Sequence, residues 1–295
     1  MKRKTIKAVL AKKHAEFVES IKDEEVQRLV QKNAIITGGC ITSMLLNEKV
    51  NDFDYYFTNK ETVLAVARYY VDEFNKRNDY NARVEEMESG RVRVVVQSQG
   101  IAAEEGFEDT ESEDEPATLF EDDESTVGEL KEKDGDKYRP VFLSSNAITL
   151  TGKIQLVLRF YGEPDEIHEN YDYAHTKCYW RAENGHLDLP ASALEAILAK
   201  ELIYTGSKYP LASIIRSKKF VQRGWRINAG QFVKMALHLN EMDLKDPNVL
   251  EEQLTGVDFA YFQAVINSIK KRMEEDEHFK LDNAYLFEVI NRIFD

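Results

Sequence analysis

Cysteine is almost missing from this 295-residue chain, which has only Cys40 and Cys178. Two thiols make neither a disulfide framework nor a zinc site. Their scarcity fits a reducing, cytoplasmic setting. Long apolar runs are missing too. No stretch approaches the roughly 20 residues that span a bilayer, so no membrane partner is expected. The start, Met-Lys-Arg-Lys-Thr-Ile-Lys, is basic but lacks the apolar run of a signal peptide. The six histidines, His14, His168, His175, His186, His238 and His278, are scattered, and no pair has metal-ligand spacing. No serine or cysteine stands in a nucleophile elbow or beside a partner signature. No internal repeat is visible.

What the chain does have is an uneven charge. It carries 53 acidic residues against 39 basic ones, a net charge of −14. Sixteen of the acids and two of the lysines fall within 101–136, so the remainder holds 37 of each sign. An acidic average therefore does not exclude an anionic substrate, provided the basic residues cluster. The 101–136 stretch has no periodicity and few apolar residues, which keeps it out of a core. It reads as a solvated insertion between strands. It is either a solubilising loop or an arm that contacts a partner or the chain's own basic helix. An apolar content of 43% over this length suits two domains.

Residues 5–31 show helical spacing, broken near Lys22-Asp23 into two helices. Asn51 to Phe57 and Arg91 to Gln97 read as strands. Between them a helix over about 60–76 starts at a Thr58-Asn59 cap with Glu61 in its first turn. Ala147–Leu150 and Lys153–Phe160 read as a hairpin about Thr151-Gly152. Lys177–Arg181 is a further strand. From Pro190 the period is helical, with helices expected near 190–204, 209–223, 228–240, 246–254, 257–275 and 281–293, separated at Gly206, Gly224, Asp246-Pro247 and Gly256. The fold class is α+β, a mixed sheet with flanking helices followed by an all-helical C-terminal domain. The expected boundaries are 1–185, containing the 101–136 insertion, and 186–295.

The chemistry concentrates between Ile35 and Phe57. A strand gives way at Gly38-Gly39 to a short helix, and a second strand carries Asp52 and Asp54. Glycine reaches backbone angles closed to other residues and lets a phosphate approach the main chain. The helix start at Cys40–Ser43 offers amides and a positive dipole end to an anion. Residues i and i+2 of a strand point the same way, so Asp52 and Asp54 face one side while Phe53 faces the core. Cys40 reads either as a helix-start thiol of lowered pKa or as a small residue tolerated beside phosphates.

Gly38-Gly39, the short helix with Leu45-Leu46, and Asp52-Phe53-Asp54 together resemble the signature of the polymerase-β nucleotidyltransferase superfamily. The likeness is to the tRNA-nucleotidyltransferase and poly(A)-polymerase branch and to phage-encoded nucleotidyltransferases. It is close over residues 33–57 and loose elsewhere. The resemblance implies that Gly38, Gly39 and Ser43 bind nucleotide phosphates and that Asp52 and Asp54 hold Mg2+ (or Mn2+). It implies transfer of an NMP from an NTP to a hydroxyl, with an RNA 3′ end, tRNA-like, as the acceptor. For a phage-encoded chain the setting is the cytoplasm of the bacterial host.

The chain departs from that branch at two points. Thr42-Ser43 stands where the tail-adding enzymes carry an Arg-Asp pair, and no acidic-arginine template motif follows. Both speak against CCA addition. The family's third carboxylate is expected on the Lys153–Phe160 strand, whose central polar position is Gln155, a poorer magnesium ligand than a carboxylate. Asp172, Glu85 and Glu86 are the alternatives. Without a third carboxylate, the chain reads instead as a catalytically weak or inactive relative that binds a nucleotide or a protein partner. A second cluster, Arg216, Lys219 and Arg223, lines one helix face at spacings of three and four. It reads as a triphosphate or RNA contact, or as a solvated face. Trp225 beside it is a core residue or a base platform.

Overall fold

The computed structural model describes residues 1–78, 81–95, 101–103 and 137–244, with 246, 249, 250, 253, 287 and 288. Two helices open the chain, α1 (Arg3–Ser20) and α2 (Glu24–Asn33). The break falls where the sequence places it, because the Asp23 carboxylate accepts from the amides of Glu25 and Val26 and starts α2 afresh. Strand β1 (Ala34–Thr37), helix α3 (Gly39–Leu46) and strand β2 (Phe53–Phe57) follow. Helix α4 (Lys60–Arg77) begins at Asn59, whose side chain accepts from the Thr62 amide at 2.9 Å.

Strands β3 (Arg83–Glu86) and β4 (Val92–Val95) pair with each other in a separate small sheet. Then come β5 (Ile101–Ala103), β6 (Pro140–Ser144), β7 (Ala147–Leu150) and β8 (Ile154–Val157). A short helix α5 (Pro164–His168), a 3-10 turn (Ala174–Thr176), β9 (Tyr179–Arg181) and β10 (Leu187–Asp188) complete the sheet region. Helices α6 (Ala191–Ala199), α7 (Pro210–Gln222) and α8 (Ala229–Leu239) follow. The helix expected over 257–275, that over 281–293 apart from the helical Phe287 and Glu288, and the insertion beyond residue 103 lie outside the described residues.

The main sheet has eight strands in the order β10-β9-β1-β2-β8-β7-β6-β5. It is mixed, because β2 and β8 run parallel while every other neighbouring pair is antiparallel. The architecture is therefore α+β, with helices flanking a mixed sheet and only helices after β10 among the described residues. Strand β10 adds a strand beyond Lys177–Arg181, the last that the sequence marks. Its two residues are too few to show a period in the sequence.

One face of the sheet is packed by aromatic side chains. Phe17 of α1 lies against Tyr55 of β2, Tyr138 and Tyr70 of α4 at ring separations of 5.0, 5.8 and 6.3 Å. Burying such rings contributes on the order of 2–3 kcal/mol each. Alternation along β2 then sends Asp54 to the other face, and the cross-strand register sets a row there. Tyr179, Thr37, Asp54, Gln155 and Thr149 stand side by side across β9, β1, β2, β8 and β7.

The described residues fall into two compact units. One gathers the chain through His168 and Ala174–Ala199. The other takes Glu169–Tyr173 and everything from Lys200 onward.

Candidate phosphate and metal site

Gly38 ends β1 with φ +87° and ψ −152°, a conformation closed to side-chain-bearing residues. It is buried, and its amide donates to Thr176 O at 3.2 Å. Its role in the fold is thus to turn the chain. Gly39 differs. It is the exposed first residue of α3, its φ is not positive, and a Cβ added there meets nothing within 4 Å. The fold makes no demand for glycine at 39. Helix α3 has no side-chain cap at its N-terminus, an arrangement in which the first amides could receive an anion.

The two carboxylates come to this end of α3. Thr37, the residue before the turn, is the register partner of Asp54. Asp52 is exposed and Asp54 half-buried. Burial, and then the neighbouring Asp52 charge, push the Asp54 carboxyl well above the ordinary carboxylate range. The Cys40 thiol in the first turn of α3 is pushed up by burial, then by Asp54 and Asp52. This corrects the reading of Cys40 as an activated thiol. Two nearby negative charges and a buried site outweigh the helix dipole, and Cys40 serves as a small packed residue whose S–H points to Thr37 O.

Gln155 stands in register beside Asp54, where a third carboxylate was sought. The alternatives are otherwise engaged. Glu85 is bridged by Arg93 and Arg83, each at 2.8 Å, in the small sheet, and Glu86 by Lys60. Asp172 belongs to the second unit and accepts from Arg216 Nε at 2.8 Å. Among the described residues, no group of three or more His, Cys, Asp or Glu side chains is gathered for a metal. Two carboxylates nevertheless suit magnesium, which takes one or two from a protein and completes its octahedron with substrate phosphates and water.

Residues that no periodicity marks hold the turn in place. Thr37 Oγ1 donates to Cys178 O at 2.9 Å. Its hydroxyl proton being used, it accepts from His168 Nε2 at 2.9 Å. Thr42 Oγ1 donates to His175 O at 2.7 Å. Thr42 is therefore turned inward, while Ser43 is half-exposed. Burial pushes His168 down to about 4 and His175 to about 3, so both are neutral at pH 7. The Thr37 and Thr42 bonds, and the part His168 plays in them, carry no sequence signal, since the partners lie more than a hundred residues away.

Arg216, Lys219 and Arg223 all lie in the second unit. Arg216 is tied to Asp172, Lys219 is exposed, and Arg223 forms the C-cap of α7. Trp225 is buried, edge-on to Phe220 at 6.1 Å, as a core residue.

The family model for the Gabija anti-defense 2 family protein matches residues 8–200. The chain belongs to that family. No curated protein matches it. Among solved structures, this Gabija anti-defense 2 family chain is similar to the Thermotoga maritima CCA-adding enzyme complexed with tRNA, at 10% identity and a TM-score of 0.39, over 92% of this chain and 57% of that one. The Bacillus stearothermophilus CCA-adding enzyme in complex with CTP is 14% identical with a TM-score of 0.39, over 86% of this chain and 51% of that one. A tRNA-processing enzyme with CTP is 14% identical with a TM-score of 0.35, over 86% and 57%. The chain thus spans between half and three-fifths of the length of these structures. No helix among its described residues is long and apolar enough to cross a membrane.

Proposed function

We propose that this chain is a metal-dependent nucleotidyltransferase that moves an NMP from an NTP to a hydroxyl acceptor, an RNA 3′ end in tRNA-like form. The observation that carries the reading is the meeting of Asp52 and Asp54 with the uncapped start of α3 at an open Gly39. Asp52 and Asp54 would hold Mg2+ (or Mn2+), which when bound supplies charge neutralisation at the phosphates and orients the attacking hydroxyl. The amides from Gly39 onward and the Ser43 hydroxyl receive the phosphate tail. The setting is the cytoplasm of a phage-infected bacterium. There the family's anti-defence role would be exerted through the transfer itself.

Incorporation of labelled nucleotide, with each NTP in turn and magnesium, tests this against RNA, protein and small-molecule acceptors. Asp52→Ala and Asp54→Ala should each lower incorporation at least 100-fold, the scale of losing a principal charge-stabilising group. Unchanged incorporation in both variants rejects the reading.

Gln155 beside Asp54 favours a second reading, in which the fold binds nucleotide or a partner without transfer. The two separate in bacteria that carry Gabija. If the Asp52→Ala and Asp54→Ala variants still protect an infecting phage as well as the unaltered chain, binding alone suffices.

A further inference from the structure

We infer that Lys153 is a positioning residue for Asp52: it grips the loop on both sides of that carboxylate and sets where its oxygens stand. This deepens the metal-site reading and rests on it.

Asp52 and Asp54 are not held alike. Strand β2 begins at Phe53, so Asp54 sits inside the sheet, between Thr37 of β1 and Gln155 of β8. Asp52 lies one residue before the strand, exposed, on the loop that leaves α3. That loop departs through Asn47 in the left-handed conformation, φ +58°, and the Glu48 amide donates to Ser43 O at 2.8 Å. At its far end the Phe53 amide donates to Lys153 O at 2.8 Å. The Lys153 ammonium donates to Val50 O at 2.9 Å. The peptide groups joining 50 to 51 and 52 to 53 are thus tied to one residue, and Asp52 stands between them.

Lys153 is itself anchored. It lies in the turn between β7 and β8, where Gly152 and Lys153 have φ of +73° and +63°. Glycine is required at 152, since a Cβ there would meet the Tyr138 ring at 2.6 Å. The Lys13 ammonium of α1 donates to Gly152 O and lies over the Tyr138 and Phe53 rings, at 4.7 and 5.2 Å. The Thr151 amide donates to Arg139 O at 2.9 Å. All of these residues belong to the first unit. The clamp therefore hangs from a turn that α1 and the chain before β6 hold in place.

The choice of residue at 153 points the same way. A left-handed backbone is costly for a residue with a Cβ, and glycine takes it freely. Tight turns with positive φ favour glycine or asparagine. A lysine there gives up backbone ease, and its side chain gains the bond to Val50 O. Strain of this kind collects at functional sites that the surroundings hold in place. A divalent ion supplies the reason. Magnesium demands near-ideal octahedral geometry, so its carboxylates must stand within about 0.5 Å of the productive arrangement. Asp54 takes its position from the strand ladder. Asp52, outside the ladder, takes its position from Lys153.

The test measures binding of Mn2+ alone to the full chain, by electron paramagnetic resonance, beside thermal melting. Two variants remove the ammonium with different effects on the backbone. Lys153→Gly relieves the left-handed strain, and Lys153→Met keeps it. Lys153→Gly should therefore melt above Lys153→Met. Both should nevertheless bind Mn2+ about 10-fold more weakly than the unaltered chain, the scale of losing an outer partner of a metal ligand. Lys153→Arg should recover most of the affinity. Unchanged Mn2+ affinity in Lys153→Gly overturns the assignment, because the clamp then serves the fold alone. So does an affinity that follows the melting temperature across the variants, which would report a loosened hairpin. If the unaltered chain binds no Mn2+, or Asp52→Ala binds it equally well, the metal reading itself fails and the assignment with it.

Discussion

At the level of single residues, the glycine pair separates into two jobs. Gly38 is required by its own backbone angle, and Gly39 is not. Gly39→Ala should therefore fold at least as well as the unaltered chain, and up to about 0.5–1 kcal/mol better, since alanine is the better helix former. Yet a methyl group at the mouth of the cradle would meet any phosphate seated there. The expected outcome is a raised or unchanged melting temperature together with weakened triphosphate binding. A variant that gains stability and binds normally would show that no ligand approaches Gly39. Thr42 gives the reverse pattern. Thr42→Val leaves His175 O without its donor in a buried place, a loss of about 1–3 kcal/mol. Thr42→Ser keeps the hydroxyl and should restore most of it. Paired denaturation curves of the two variants check this. The i, i+2 placement of Asp52 and Asp54 was legible because it needs only strand geometry. The threonine bonds were not, because their partners lie 133 and 141 residues on.

Among the elements, those whose signal is local were readable from the sequence. The β1-α3-β2 stretch carries its own punctuation in two glycines and a capped exit. The hairpin β7-β8 and the caps of α2 and α4 follow the same logic. Strands β3, β6 and β10 have two to five residues and no clean alternation, and the order of the eight strands depends on pairings far apart in the chain. Helix α7 shows how a legible pattern can mislead about roles. Its basic face is regular at three and four, but Arg216 is engaged by Asp172, whose side chain is only 10% exposed. Removing one partner leaves a mostly buried charge without its mate. Arg216→Ala should cost about 1–3 kcal/mol of stability whether or not nucleotide is present. In a double-mutant cycle, Asp172→Ala with Arg216→Ala should lose less than the sum of the single changes. Additive losses would mean the pair contributes nothing as a pair. Nucleotide contact by this helix is tested separately at Lys219 and Arg223, with stability measured beside it.

For the molecule as a whole, the buried histidines predict how the fold responds to acid. His14, His168 and His175 all belong to the first unit, and burial pushes them down to about 4, about 4 and about 3. Their folded values lie below the unfolded value near 6.5. The unfolded chain therefore binds protons first as pH falls, and stability is lost from about pH 6.5 downward toward the folded values. Each histidine contributes a loss of about 2 kcal/mol by pH 5. Asp54 acts in the opposite sense, because its raised value means that protonation relieves a strained carboxylate as pH falls. Three groups against one leaves a net loss. Denaturant unfolding between pH 7.5 and 5 should show falling stability with the steepest decline below pH 6.5. His14 is the residue that separates this from a general acid effect. It packs against Tyr55 and Trp180 at ring separations of 6.0 and 5.4 Å, away from the threonine bonds of the turn. His14→Phe keeps an aromatic ring there and removes one of the three histidine titrations, so, with the Asp54 term unchanged, its stability should fall at least one-third less steeply with pH. An unchanged slope would place the acid sensitivity elsewhere in the chain.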